Sequence, residues 1–246
     1  MLIQRLSTGF LFSIVGASLA GGVAVADVPE GDVWITLQGN RIVTGLIAED
    51  ESFTVNGTRV FYGELGVDVP NVGSDPGFKA FDGVFTSSTT PMVGIAARKA
   101  LRKWNGTDFS TIATESMRVS FGPTVGGVAF QTPGSDPSSV FPSLSIPVDE
   151  DGGWHHHPDF ELIAAAGQVD PSDGVYLIEL ELFGTGVTTS EPIWLLWGQN
   201  ASVEESGSAY AFSAQTIPSP AATMLLGGLA MGVSFRRRCS VAHAMQ

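Results

Sequence analysis

From Asp32 the chain alternates: DVWITLQ sets Val33, Ile35 and Leu37 on one face and Asp32, Trp34 and Thr36 on the other. A period of two is that of a half-buried strand, because successive side chains of an extended backbone point to opposite faces. Gly39-Asn40 and then RIVTGLI follow, which predicts a hairpin across a tight turn. SFTVNGTRVFYGEL repeats the pattern around Asn56-Gly57 and predicts a second hairpin there. Further strands are predicted at MRVSFG, GGVAFQT, SLSIPV, WHHHPDFELI, GVYLIELELFG and EPIWLLWGQ. In GVYLIELELFG, Tyr176, Ile178, Leu180 and Leu182 make the apolar face and Glu179 and Glu181 the polar one. One segment has another period. MVGIAARKALRKW puts Val93, Ala96, Ala97, Ala100 and Leu101 near one face of a helix, with Arg98, Lys99, Arg102 and Lys103 toward another. The pattern therefore predicts a mainly β chain: one β-sandwich or jelly-roll domain with a single short surface helix.

Both ends are patterned differently. Arg5 precedes an apolar run, FLFSIVGASLAGGVAVA, that closes on Ala24-Val25-Ala26. A basic residue, a short apolar stretch and small residues two apart are the parts of a secretory signal peptide, so residues 1–26 are expected to be cut off by signal peptidase after Ala26. At the other end, Pro218-Ser219-Pro220 is followed by AATMLLGGLAMGVSF and then by Arg236, Arg237 and Arg238. The apolar run predicts a membrane-spanning helix, and the arginines fit a positive-inside flank. Arginines after the run argue against a lipid-anchor signal. The body is then 27–216, with a tail at 217–238 and a short remainder at 239–246.

All 25 acidic residues but only eight of the twelve basic ones fall in that body, which leaves it a net charge of −17. Such a surface repels nucleic acid, and no basic stretch interleaved with aromatics offsets it. The four bases from Arg98 to Lys103 are the exception, and as a cationic patch they would suit an acidic extracellular polysaccharide. The one cysteine, Cys239, lies beyond the arginines, so no disulfide framework is expected.

The densest chemistry is in WHHHPDFEL, which holds three of the four histidines. On a single strand His155, His157, Asp159 and Glu161 share one face, while Trp154, His156, Phe160 and Leu162 face the core. Two imidazoles on one face can chelate a divalent metal such as zinc, which accepts nitrogen and carboxylate ligands together. A third ligand must come from elsewhere; Glu30, Asp32, Glu179 and Glu181 are the candidates. The alternative is a polar strand edge that binds no metal. Pro158 cannot donate to a ladder, which places the segment at an edge or a bulge.

The tail's order of proline motif, apolar run and arginine cluster resembles the PEP-CTERM sorting tail of exported bacterial proteins, with Pro-Ser-Pro in a planctomycete-type variant of Pro-Glu-Pro. That resemblance implies recognition of the tail by an exosortase-like enzyme and residence at the cell envelope or surface. The body is similar to β-domains carrying such anchors in its H-x-H-x-x-F run (His155, His157, Phe160), its D-G-x-Y run (Asp173, Gly174, Tyr176) and its SDPGF run. No nucleophile elbow, H-E-x-x-H helix or phosphate-binding loop occurs in the sequence. The expectation is a non-enzymatic envelope or matrix protein with a divalent-metal site. The alternative is a metal-dependent hydrolase acting on extracellular polymers.

Overall fold

In the computed structural model the described residues are 28–217, apart from 49, 124–126 and 140. The cleavage site at Ala24 and Ala26, the proline motif Pro218-Ser219-Pro220, the apolar run and Arg236 to Arg238 lie outside the described residues. Among the described residues no helix is long and apolar enough to cross a membrane.

The chain opens with β1 (Asp32–Gln38) and β2 (Arg41–Ile47), antiparallel and in register from Asp32↔Ile47 to Gln38↔Arg41. The hairpin is as the alternation predicts. Gly39 takes a φ of 63° at the first turn position, a conformation that favours glycine. Strand β3 (Thr54–Asn56) pairs with β2, and β4 (Val60–Leu65) departs to another sheet. Asn56-Gly57 is therefore a crossover between sheets and not the turn of a hairpin. The reversal lies earlier, where Ala48 and Phe53 close the loop and Glu51 has a positive φ. Gly57 adopts the turn conformation, with its N–H donating to the Thr44 carbonyl, but the next strand's apolar surface is matched elsewhere.

Short strands follow: β5 (Val72–Gly73), β6 (Phe78–Ala80), β7 (Met92–Ala97), β8 (Arg102–Lys103) and β9 (Thr111–Ile112). The segment expected to be a helix is thus strands β7 and β8. β7 lies between two neighbours and is buried from Val93 to Ala97, so it reads as a continuous apolar run with no alternation to reveal it. Gly94 within it sits against the Phe183 ring and the Leu144 carbonyl, a close approach that only glycine permits. The remaining elements are β10 (Ser116–Phe121), β11 (Val128–Gln131), β12 (Ser143–Pro147), β13 (Trp154–His156), β14 (Asp159–Ile163), β15 (Gly174–Gly184), β16 (Ile193–Gln199) and α1 (Val203–Thr216).

Three sheets result, ordered β13-β6-β1-β2-β3, β11-β10-β14-β5 and β12-β7-β15-β16-β4, with β8 and β9 attached to β15. All three supply one apolar core, from Val33, Ile35 and Trp154 through Val119 and Phe160 to Tyr176, Ile178, Leu180 and Trp197. On β15 the apolar face is the predicted one. The opposite face of the third sheet carries a smaller cluster, Val175, Leu177, Leu196, Trp104 and Phe109, partly covered by α1. No apolar stripe announces α1, because the residues it buries are small: Ser206, Gly207, Ala209 and Ser213. Ser202 caps its first turn by accepting from the Glu205 N–H, and Ser206 Oγ lies 2.8 Å from the Tyr62 hydroxyl.

One buried charge holds β10 to the start of β15. Glu115, 7% exposed, accepts from the Ser172 N–H at 3.2 Å, from the Ser172 hydroxyl and from the Thr114 hydroxyl at 3.1 Å. Lys103 and Tyr176 in turn donate to Ser172, each at 2.6 Å. Burial alone would raise the Glu115 pKa, but the hydrogen bonds outweigh it and lower the carboxyl from 4.5 to about 2. A carboxyl depressed on folding stabilises the fold above its unfolded value, and that contribution is lost as pH falls through the folded one. Denaturant unfolding followed between pH 5 and about 2 is expected to show a loss on the order of 1–3 kcal/mol from this group, solvent screening lowering the full value. Glu115→Gln should remove that acid-dependent part.

Candidate metal centre

The centre is assembled on the first sheet, where β6 lies between β1 and β13. β6 runs parallel to β1, with Val33 opposite Phe78, and antiparallel to β13, with His155 opposite Lys79. Asp32 stands at the start of β1 and His155 on β13, and the residue just before β6, between them, leaves room for the His157 ring. That residue is Gly77. Its N–H donates to Asp32 Oδ1 at 2.7 Å, and its carbonyl accepts from the Val33 N–H at 2.9 Å. A Cβ at Gly77 would lie 2.5–2.7 Å from the His157 ring, so its missing side chain is the space that the imidazole occupies.

WHHHPDFELI is not one strand. β13 ends at His156, and the chain changes sheets at His157-Pro158 to begin β14. Pro158, which has no N–H to give a ladder, sits at the break. The two histidines still converge, with His155 Nε2 3.1 Å from His157 Nε2. Asp32 Oδ2 lies 3.5 Å from the first and 3.7 Å from the second. Ligands about 2.0–2.1 Å from a tetrahedral zinc stand roughly 3.3 Å from one another, and the three separations bracket that value. His157 Nδ1 is 2.8 Å from Asp75 Oδ1 and 3.2 Å from the Ser74 carbonyl. Both oxygens can only accept, so Nδ1 carries a proton, and in the neutral ring the Nε2 lone pair is left on the side of Asp32 and His155. A histidine whose second nitrogen donates to a carboxylate is the usual support of a metal ligand.

Among the described residues Asp32, His155 and His157 form a three-residue cluster with the geometry to hold a metal ion. Of the four acidic candidates, Asp32 is therefore the one brought to the histidines. Glu179 and Glu181 lie on the outer face of β15 and pair with Arg98. Glu30 is exposed and lines a neighbouring cleft. The change of sheet also parts Asp159 and Glu161 from the histidines: Asp159 lines the same cleft, and Glu161 pairs with Arg118 at 3.5 Å. His156 turns inward as expected, but its aromatic neighbours are Trp154 and Phe121, at 5.0 and 4.8 Å. Burial lowers its pKa, which suits a packed neutral imidazole.

Asp75 and Gly77 were not among the sequence candidates. Both belong to SDPGF, where an acid and a glycine flanking a proline directly before a strand were the available signal. The cleft beside the centre has a volume of about 450 Å³ and shares Asp32, Ser74 and Asp75 with it. Glu30, Glu64, Asp68 and Asp159 also line it, and among the described residues no lysine or arginine does. Comparison with protein-family models, with curated protein sequences and with solved structures returned no match for this chain.

Gly77→Ala tests how the centre is built. The clash falls on the outer end of a partly exposed side chain, so the ring can swing away and stability should change little. The displaced His157 should then lower zinc affinity by about tenfold or more, as loss of a supporting contact does. Unchanged affinity in titration calorimetry would show that the ring position does not depend on this gap.

Proposed function

We propose that this chain is an exported cell-envelope or cell-surface protein, sorted by its PEP-CTERM-like tail, whose body binds one divalent ion, zinc in the first instance, at Asp32, His155 and His157. The observation that carries the metal reading is the convergence of one carboxylate oxygen and two imidazole nitrogens at separations that suit a shared ion, with Asp75 behind His157. Three sheets around one core support a sandwich or jelly-roll body as its carrier. Elemental analysis of the purified protein after dialysis is expected to return about one equivalent of zinc-type metal, with none retained by Asp32→Ala. Signal peptidase and an exosortase-like enzyme are the processing partners on this reading, and the membrane is the partner of the apolar tail. N-terminal sequencing of the exported protein should begin at Asp27; recovery of Met1 would remove the export reading.

A second reading, a metal-dependent hydrolase acting on extracellular polymers, is favoured by one feature. Three protein ligands beside an open cleft leave a coordination position for water or substrate, as catalytic zinc sites do and closed structural sites do not. A metal bound there would supply a Lewis acid, while the cleft's carboxylates offer proton acceptors. Metal-dependent release of small fragments from a neutral polymer, abolished by Asp32→Ala, would favour it over the non-enzymatic reading.

A further inference from the structure

A second cleft, of about 440 Å³, lies on the outer face of the third sheet, away from the metal centre. α1 covers only part of that face, and beside the helix the sheet stays open. Leu177 and Glu179 of β15 and Trp194 of β16 make the floor. Phe212 of α1 and, from the loop between β8 and β9, Phe109 with Ser110 line it beside that floor. Phe109 and Phe212 have ring centroids 6.3 Å apart, with Trp104 packed against both at 5.1 and 5.5 Å. The aromatic lining is thus held in place by other aromatic rings. Trp194 and Phe212 remain partly exposed.

The polar lining has both signs and is mostly pre-positioned. Glu179 accepts from Trp194 Nε1 at 3.1 Å and sits 3.9 Å from Arg98. Arg102 donates to the Ser110 carbonyl at 3.3 Å and pairs with Asp136. Lys99 is exposed, and among the described residues it forms no ion pair. Fixed donors and acceptors around an aromatic floor suit a ligand with one apolar face and a rim of groups that both donate and accept. A sugar ring has that form, with C–H groups on a face and hydroxyls around its edge. A purely apolar ligand would strip water from Lys99 and from the free lone pairs of Glu179 and offer nothing in its place. A polyanion would meet Glu179 and Asp108 inside the cleft and the −17 charge of the body outside it. The cationic patch read from the sequence is half neutralised, because Arg98 and Arg102 are in ion pairs.

We propose that this cleft binds a neutral oligosaccharide, its ring stacked on Trp194 beside Phe109 and Phe212 and its hydroxyls held by Glu179, Lys99 and Arg102. The volume falls within the roughly 300–1,000 Å³ of small-ligand clefts. The proposal does not rest on the metal reading.

The test is calorimetric titration of the purified protein with cellopentaose, xylopentaose and mannopentaose, and with an alginate-type oligouronate as the charged probe. At least one neutral probe should bind, and the oligouronate more weakly or not at all. Trp194→Ala should lower the affinity about tenfold or more, as loss of an aromatic anchor does. Lys99→Ala, an exposed change that leaves the fold intact, should lower it about threefold by removing one charged hydrogen bond near the surface. Asp32→Ala should leave sugar binding unchanged. Absence of binding by all three neutral probes, indifference to both Trp194→Ala and Lys99→Ala, or preference for the oligouronate would each overturn the proposal.

Discussion

His157→Ala is expected to lower zinc affinity by about 100-fold or more, because it removes a ligand and with it the hydrogen bond that ties the site to Asp75. Asp32→Ala should do the same, since among the described residues its Oδ2 is the carboxylate oxygen that stands near both ring Nε2 atoms. Asp75→Asn is the more informative change. An amide can turn its NH2 toward Nδ1, which favours the other tautomer and ties up the Nε2 lone pair. A loss of about 10–100-fold is expected without loss of any ligand. His156→Ala should leave affinity nearly unchanged and act on stability, because its ring packs between Trp154 and Phe121. Equal losses on changing each of the three histidines would contradict this division of roles.

Trp197→Ala is expected to cost about 3–5 kcal/mol of folding stability, the range for emptying a core site of a large aromatic. Trp197 is fully buried and ties the third sheet to the second through the Phe160 ring, at 4.8 Å. Its six-membered ring also lies against Gly63 and Gly73, where a Cβ would come within 2.6 and 2.5 Å of it. Those contacts place β4 and β5 against the segment that carries Asp75. Trp197→Phe should cost distinctly less, because among the described residues Nε1 of Trp197 is buried with no acceptor and phenylalanine gives up no hydrogen bond there. Thermal and urea unfolding of the two variants would check the order, and a Phe variant as unstable as the Ala one would contradict it.

The parts of the fold that the sequence announces most clearly are those whose two faces differ in burial. β1 and the second half of β15 alternate between buried and partly exposed positions, and the apolar face follows from that pattern. β7 is buried on both faces, so its apolar residues carry no period of their own and a helical spacing fits by coincidence. α1 errs the other way: it packs through serine, glycine and alanine, and a small-residue face has no hydrophobic period. Asn56-Gly57 shows that turn chemistry marks a change of direction without naming the strand that follows. At the site, His155, His157 and Asp32 could be singled out because their chemistry is rare or lies at a strand start. Asp75 and Gly77 act through a parallel pairing between β1 and β6, which is non-local and leaves no trace in adjacent residues. The face argument also placed Asp159 and Glu161 with the histidines, and the change of sheet at Pro158 undid it.

The acidic surface makes a bare stoichiometry ambiguous, since carboxylates alone hold divalent cations loosely. X-ray absorption at the zinc edge of the loaded protein separates the two cases by the identity of the atoms around the ion. Binding at Asp32, His155 and His157 predicts a low-coordinate shell with two imidazole nitrogens and carboxylate or water oxygen at about 2.0–2.2 Å. An all-oxygen shell without the outer scattering of imidazole rings would show that zinc sits on the acidic surface and that the three side chains are not its ligands.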